Sequence, residues 1–340
     1  MSPLGPNRTA PFDPNSDNTL TDRGVLLAEV LAHSGLAWGI KARDVPALSG
    51  ASGPDAVVSA IRDVAALGCK VLVLTSVRQA SPSLDRGELR AIRAEASRLA
   101  VQLQADLGSF HPDRYDHREV GAALEAGTTL GIVGYHVTFG IMDDRFLASP
   151  TWPEQLKTAV GPLRELVDRA ESTVVMRTHE EMTTFELASL CASVGREALQ
   201  VGFSPVNVVT RLEDPTAAFD RVAVRVNTLY LDDCWVARTR DGASRRLCPL
   251  GHGAVNWERL LAYPDPRTIA VLDVHHAQFD MPFYQREWLA HHPDLRVPEF
   301  LRVMQSSIGF DLGQTSFEER RIHGRRVLER ATAVRERASH

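Results

Sequence analysis

Three side chains with complementary chemistry fall within five residues of one another: Arg177, His179 and Glu181. A guanidinium is a permanent cation, an imidazole titrates near neutrality, and a carboxylate accepts or shuttles a proton, so the trio is a proton-transfer set. The stretch carrying them, residues 174–186, starts apolar, turns abruptly polar, and then opens a helix behind a candidate N-cap threonine. That is the pattern of a buried strand delivering polar groups at its carboxyl end. Alternation along a strand would put Arg177, His179 and Glu181 on one face and Thr178 and Glu180 on the other. Because Glu180 and Glu181 also precede a helix, at least one of them is expected only to complement the helix dipole.

A second set lies near the end of the last apolar run, 268–273. Asp273 is the first choice of base, followed closely by His275 and His276. His275 on the same face as Asp273 would form a dyad with it. Burial would raise the Asp273 pKa and a nearby Arg177 would lower it, so the net direction stays open. Further candidates for contacting a ligand are Tyr230, Ser204, Asn207, His136, Asp232 with its neighbour Asp233, and His252, which lies between two glycines. Tyr230 could donate to a substrate oxygen or simply pack against Trp235. His291 and His292 read as surface residues, and the Arg-rich end as a solvated helical face or subunit contact.

The elements that must position these residues alternate regularly. Apolar runs at 36–40, 70–75, 101–106, 129–138, 174–177, 199–204, 226–231 and 268–273 predict strands. Helical spacing falls between them, at 54–67, 84–100, 118–126, 152–170, 184–194, 214–223 and 256–261, with 298–304 and 316–337 at the end. Eight strands alternating with helices predict a single-domain α/β protein, a (β/α)8 TIM barrel, whose ligand chemistry gathers at the carboxyl ends of its strands. The alternative, an open doubly wound sheet, lacks the Gly-x-Gly-x-x-Gly phosphate turn. The expected division is a flexible leader over 1–22, the barrel over 23–310 and a helical extension over 311–340.

Composition sets limits. The chain has 340 residues, 44% hydrophobic and 24% charged, with formal net charge −5, so a nucleic-acid partner is not expected. Four cysteines without Cys-x-x-Cys spacing read as reduced thiols, and no apolar run spans a membrane. A cytoplasmic protein is the expectation.

Several segments in register resemble one family. Residues 174–187, 204–207 with 213–215, 230–233, 249–257 and 281–289, with 106–109 and 140–146 at earlier strand ends, are similar to the sugar phosphate isomerase/epimerase group of xylose-isomerase-like TIM barrels. The resemblance runs over about 71–294. It implies a divalent metal held by Glu, Asp, His and Glu, with carboxylates moving a proton beside a substrate carbonyl. In this chain those positions carry Arg177, Ser204, Tyr230 and Asp273, and the family's glycine-flanked Glu is His252. Three outcomes stay open: Arg177 has taken the cation's role, a different metal set (Mn, Co, Mg or Zn) is used, or catalysis has been lost.

The expectation is therefore an isomerase- or epimerase-like enzyme, with a lyase or rearrangement reaction also open. It would transfer a proton next to a carbonyl of a small polyhydroxylated or keto substrate bearing carbonyl, hydroxyl or carboxylate groups. Arg177 would serve as electrophile and Asp273 or His179 as base, with no cofactor expected and a divalent metal not excluded. The alternative is a non-catalytic metabolite-binding barrel. A DNA-repair nuclease of the same barrel type needs a richer metal cluster and a basic face, and the sequence has neither. A homodimer is implied by the resemblance alone.

Overall fold

A computed structural model describes residues 22–111, 115–141, 144–262, 265–307 and 315–338. The expected leader, apart from Asp22, and the expected 310/311 boundary fall outside these residues. In chain order the strands are β1 (Ala37–Lys41), β2 (Val71–Leu74), β3 (Gln102–Phe110), β4 (Ile132–Phe139), β5 (Thr173–Arg177), β6 (Leu199–Phe203), β7 (Val226–Leu231), β8 (Asp233–Arg238), β9 (Ala243–Cys248), β10 (Ile269–Leu272) and β11 (Phe279–Met281). The first seven and β10 form a closed parallel barrel, with β10 paired to both β7 and β1. This is the expected (β/α)8 barrel, and all eight predicted strands are in it.

Local sequence explains the elements. Short runs such as Val71–Leu74 are buried along their whole length, as parallel strands sandwiched between an interior and a helical layer must be. Helix starts are fixed by side-chain caps: Asp85 accepts from the backbone N–H of Gly87 and Glu88, Asp116 from those of Arg118 and Glu119. Thr183 and Glu186 form the capping box that opens the helix Thr184–Val194. The C-terminal helix Phe317–Ala338 follows β10 and packs beside the N-terminal helix Asp22–His33. Its Val327, Leu328 and Ala331 belong to the main core.

Inside the barrel the lower layer is apolar, made by Val71, Val73, Ile269 and Val271 against the Tyr230 ring. Gly202 on β6 makes room for that ring: a Cβ there would lie 2.9 Å from Tyr230 Cε2 and 2.9 Å from a Val175 methyl. Above it the strand-end residues are polar and charged.

Between the seventh and eighth barrel strands the chain makes an excursion that the sequence pattern does not announce. β8 and β9 form a hairpin, and β11 joins it in a three-stranded antiparallel sheet of order β11-β9-β8. This sheet has its own apolar cluster, including Val236, Leu247, Met281, Phe283 and Trp288, packed on Val206 and Val209. Strand β9 reads Ala-Ser-Arg-Arg-Leu-Cys, and its arginines break the apolar signal.

Asp233 anchors the loop that follows. Its carboxylate accepts from the backbone N–H of Cys234 (2.8 Å), Gly251 (3.0 Å), Gly253 (3.1 Å) and Val255 (3.3 Å), and from the Trp257 indole (3.1 Å). The sequence pattern allows Asp233 to stand in the pocket; its side chain is instead consumed in ordering residues 249–257. Replacing it by Ala leaves several buried donors unsatisfied, so Asp233→Ala should lower unfolding free energy by about 3 kcal/mol or more in urea titrations. A loss below about 1 kcal/mol would show that the loop orders itself without this carboxylate.

Candidate active site

The polar layer is centred on Asp273, fully buried just past the end of β10. Arg177, the last residue of β5, makes an ion pair with one of its oxygens, and Arg43, just past β1, makes one with the other. Burial drives the Asp273 carboxyl upward, but the pull of Arg177, then of Arg43 and Lys41, outweighs it and holds the group well below the usual carboxylate range. Both of its oxygens thus face guanidiniums, so this carboxylate is engaged in holding Arg43 and Arg177 together.

Arg177 also lies 4.3 Å from the Tyr230 ring centroid and donates from Nη2 to His275 Nε2 at 2.6 Å. His275 does not pair with Asp273 as the sequence pattern suggests. Its backbone N–H and ring Nδ1 both meet Asp232 Oδ2 at 2.8 Å. Asp232 thus fixes a neutral tautomer whose Nε2 lone pair faces the guanidinium. Burial lowers the His275 pKa, opposed by the Asp232 bond. Arg320 of the C-terminal helix closes this side, donating to the His275 carbonyl at 2.8 Å with Nη1 3.9 Å from Asp232.

Deeper in the barrel, Gln104 on β3 accepts from His136 Nε2 at 2.7 Å, which leaves His136 Nδ1 to accept from the Tyr230 hydroxyl. Tyr230 therefore spends its donor inside the barrel, not on a substrate, and its partner is His136, not Trp235. The Trp235 indole instead donates to the His252 carbonyl. Burial pushes the Tyr230 phenol well above 10 and the His136 ring down to about 4, so both are neutral.

His179 sits at the mouth with its side chain 32% exposed. Its Nε2 meets Glu180 at 3.1 Å, and Glu180 is held in turn by Arg245 of β9 at 3.0 Å. Arg245 also bonds Asn207 Oδ1 at 2.8 Å, while the Asn207 amide donates to the Thr178 carbonyl. Strand β5 ends at Arg177, so the two-residue alternation stops there. Hence Glu180, expected on the opposite face, partners His179, whereas Glu181 is buried against Arg211 at 3.4 Å. Burial, its largest influence, lowers the His179 pKa to about 4 against the opposing pull of Glu180.

Besides Arg43 Nε, Asp44 Oδ1 and Asp273 Oδ2, a group of three polar atoms at this end of the barrel is buried without hydrogen-bond partners: Arg177 Nε, His179 Nδ1 and Ser204 Oγ. They lie at the ends of adjacent strands, since Arg177 pairs with Gly202 in the β5–β6 register. Buried polar atoms are normally satisfied, so two donors and an acceptor without partners mark a place for an oxygen-bearing ligand. His252 belongs elsewhere: its carbonyl accepts from Trp235 and Arg23 and its ring packs edge-on to His323, at the seam of the two terminal helices. His276 stacks on Phe317, and His292, expected at the surface, is buried between Trp288 and Arg211.

Sequence reasoning does not single out Lys41, Arg43, Asp44, Gln104, Arg245 or Arg320. Lys41, Arg43 and Asp44 directly follow the first apolar run, and Gln104 alternates with buried residues on β3, so both were findable as strand-end and barrel-interior signals. Arg245 and Arg320 are brought in only by tertiary packing.

The residues at the positions the resemblance gives to a metal do not suit a divalent cation. They are a guanidinium, a hydroxyl, a phenol whose proton points to His136, and a carboxylate already shared by two guanidiniums. Among the described residues no three His, Cys, Asp or Glu side chains gather as a metal site. The four cysteines are buried and unbridged, and no helix of the described residues is long and apolar enough to cross a membrane.

With this geometry in place the chain can be set beside known proteins. No family model matches it. One relative is a protein of Escherichia coli K12 called uncharacterized protein YihM, 22% identical over 196 residues, which are 58% of this chain. The match spans 57% of that relative's length. Among solved structures, a D-psicose 3-epimerase crystallised in the presence of D-fructose aligns with TM-score 0.58 at 14% identity, over 88% of this chain and 99% of its own. The probable 3-DHS dehydratase AsbF of Bacillus anthracis aligns at 0.56 and 11%, over 70% and 92%. A xylose isomerase-like TIM barrel protein of Mycobacterium smegmatis in complex with magnesium aligns at 0.53 and 12%, over 89% and 99%. What the chain shares with these solved structures is the (β/α)8 barrel fold.

The histidine environments make a direct prediction. His136 and His179, lowered to about 4, should stay neutral through the range where an ordinary histidine titrates near 6.5. Unfolded, both take a proton below about 6.5; folded, they refuse it until about 4. Their contribution to stability is therefore complete above 6.5 and lost as pH falls toward 4. Nitrogen-15 NMR of the imidazoles should place both midpoints below about 5; midpoints near 6.5 would mean that these rings are hydrated.

Proposed function

We propose that the protein is an enzyme of the isomerase or epimerase kind that transfers a proton beside the carbonyl of a small polyhydroxylated or keto substrate, without a metal. The observation carrying this reading is the trio of partnerless buried atoms, Arg177 Nε, His179 Nδ1 and Ser204 Oγ, beside a cation and a neutral imidazole. The Glu180 carboxylate, 3.1 Å from His179 Nε2, favours a proton on that nitrogen and so leaves Nδ1 as the lone-pair nitrogen. His179 Nδ1 takes a proton from the substrate carbon, and the C–H electron pair moves to the carbonyl oxygen. Arg177 and the Ser204 hydroxyl stabilise the resulting enolate.

Return of the proton to the neighbouring carbon, with the hydroxyl proton passing to the former carbonyl oxygen, gives isomerisation; protonation of the same carbon on its opposite face by water, with the His179 proton returned to solvent, gives epimerisation. Loss of a β-hydroxyl as water gives elimination. Arg177 supplies the charge that a metal would otherwise bring, and Tyr230, His136 and His275 hold that guanidinium in place. Asp273 fixes Arg43 and Arg177 and stays unprotonated throughout.

The test is exchange of substrate carbon-bound hydrogen in D2O, followed by proton NMR over a panel of ketoses, aldoses and their acids, with a chelator present. Deuterium should enter beside the carbonyl of at least one compound. His179→Asn should slow that exchange by about 100- to 10,000-fold, and Glu180→Gln by less. Arg177→Gln should abolish it while circular dichroism still reports a folded barrel. Saturable binding of panel members without any exchange would instead establish the metabolite-binding alternative.

A further inference from the structure

The strand-end layer is not balanced in charge. Lys41 pairs with Asp106 at 2.6 Å, Arg43 and Arg177 share Asp273, and Arg320 faces Asp232 at 3.9 Å. Among the described residues of this layer, four side-chain cations thus meet three carboxylates. The fourth carboxyl of the cluster, Asp44, is fully buried and accepts the Val274 backbone N–H at 3.0 Å through Oδ2, while Oδ1 has no partner. Burial raises its pKa to about 8; Arg43 pulls the other way, and Asp273 and Asp232 add to the rise. At neutral pH it is mostly protonated and contributes little negative charge. Asp44 makes no ion pair with any of these four cations, and two guanidiniums share the one Asp273 carboxylate, so one positive charge in this low-dielectric mouth lacks a counterion of its own, an arrangement that is costly unless an anion completes it.

We infer that the missing counterion is the carboxylate of the substrate, held by Arg43. This rests on the functional reading above and narrows its substrate class to small sugar acids or keto acids. Arg43 is well placed for such a contact, because it spends one nitrogen on Asp273, its Nε is buried without a partner, and its side chain is still 29% exposed. Its side chain therefore reaches from the buried layer to solvent. A guanidinium presents parallel N–H donors that match the two oxygens of a carboxylate. The excess is a single charge, which a carboxylate neutralises; a phosphate monoester, bringing about two negative charges at neutral pH, would overshoot it.

The experiment is calorimetric titration of the full chain with D-gluconate, D-glucuronate and D-tartrate, with the neutral D-glucitol, D-glucose and D-fructose, and with fructose phosphate. At least one acid should bind saturably, at least tenfold more tightly than its neutral counterpart, and Arg43→Gln should erase that preference, a change of about 1.4 kcal/mol or more. If Arg43→Gln does not fold, Arg43→Lys carries the test: it keeps the charge, loses the planar fork, and should weaken acid binding selectively. The inference is overturned if no acid binds, if neutral sugars or the phosphate are preferred, or if the variants leave the acid preference intact. The outcomes separate this inference from the proposed reaction. Deuterium exchange into a neutral ketose with no acid preference would overturn the carboxylate assignment alone; acid binding without exchange would overturn the reaction alone.

Discussion

A single buried carboxylate governs the upper half of this barrel. Asp273 has no contact with solvent, yet it remains charged because guanidiniums from two different strand ends, Arg43 and Arg177, converge on it. Neither the anion nor Arg177 is stable alone at that depth, since an unpaired ion in a low-dielectric interior loses its hydration without return. Their pairing sets the position of Arg177, and Arg177 in turn sets the surroundings: Tyr230 lies under it, His275 accepts from it, and Asp232 turns His275 to do so. The space for Tyr230 comes from the absent side chain of Gly202.

The same low dielectric that costs charges their hydration keeps the imidazoles neutral. His136, His179 and His275 are all lowered by burial, so the mouth combines fixed cations with uncharged lone-pair nitrogens. In the reaction proposed above, that combination would separate the two halves of enolate chemistry, withdrawing a proton and stabilising the charge left behind. One guanidinium, Arg177, stands at the end of β5, and a neighbouring one, Arg43, is closer to solvent.

The insertion between β7 and β10 ties the periphery to this centre. Its sheet carries Arg245 across to Glu180 and Asn207, and so orients His179 from outside the barrel. Asp233, at the root of the same insertion, orders the loop back toward the barrel by accepting several backbone N–H groups. The C-terminal helix contributes Arg320 from the other side, so the mouth is assembled from the barrel, the inserted sheet and the chain's end together.

The sequence by itself determined the barrel, because eight short apolar runs separated by amphipathic helices leave few ways to bury every run on both sides. It also pointed to the strand ending in Arg177 and the segment following 268–273 as places where polar residues gather, since polar residues cluster where apolar runs stop. What it did not contain was partnership. Alternation fails once a strand ends, which is why Glu180, not Glu181, meets His179, and why His275 turns to Asp232. The inserted sheet was silent because arginines occupy positions on β9 that a strand pattern expects to be apolar, and they are tolerated there only because Arg245 finds Glu180, Asn207 and the Ala277 carbonyl. Which carboxylate is charged, which histidine keeps a free nitrogen and where a positive charge is left over were decided by tertiary structure, because each depends on burial and on partners dozens to hundreds of residues away in the chain.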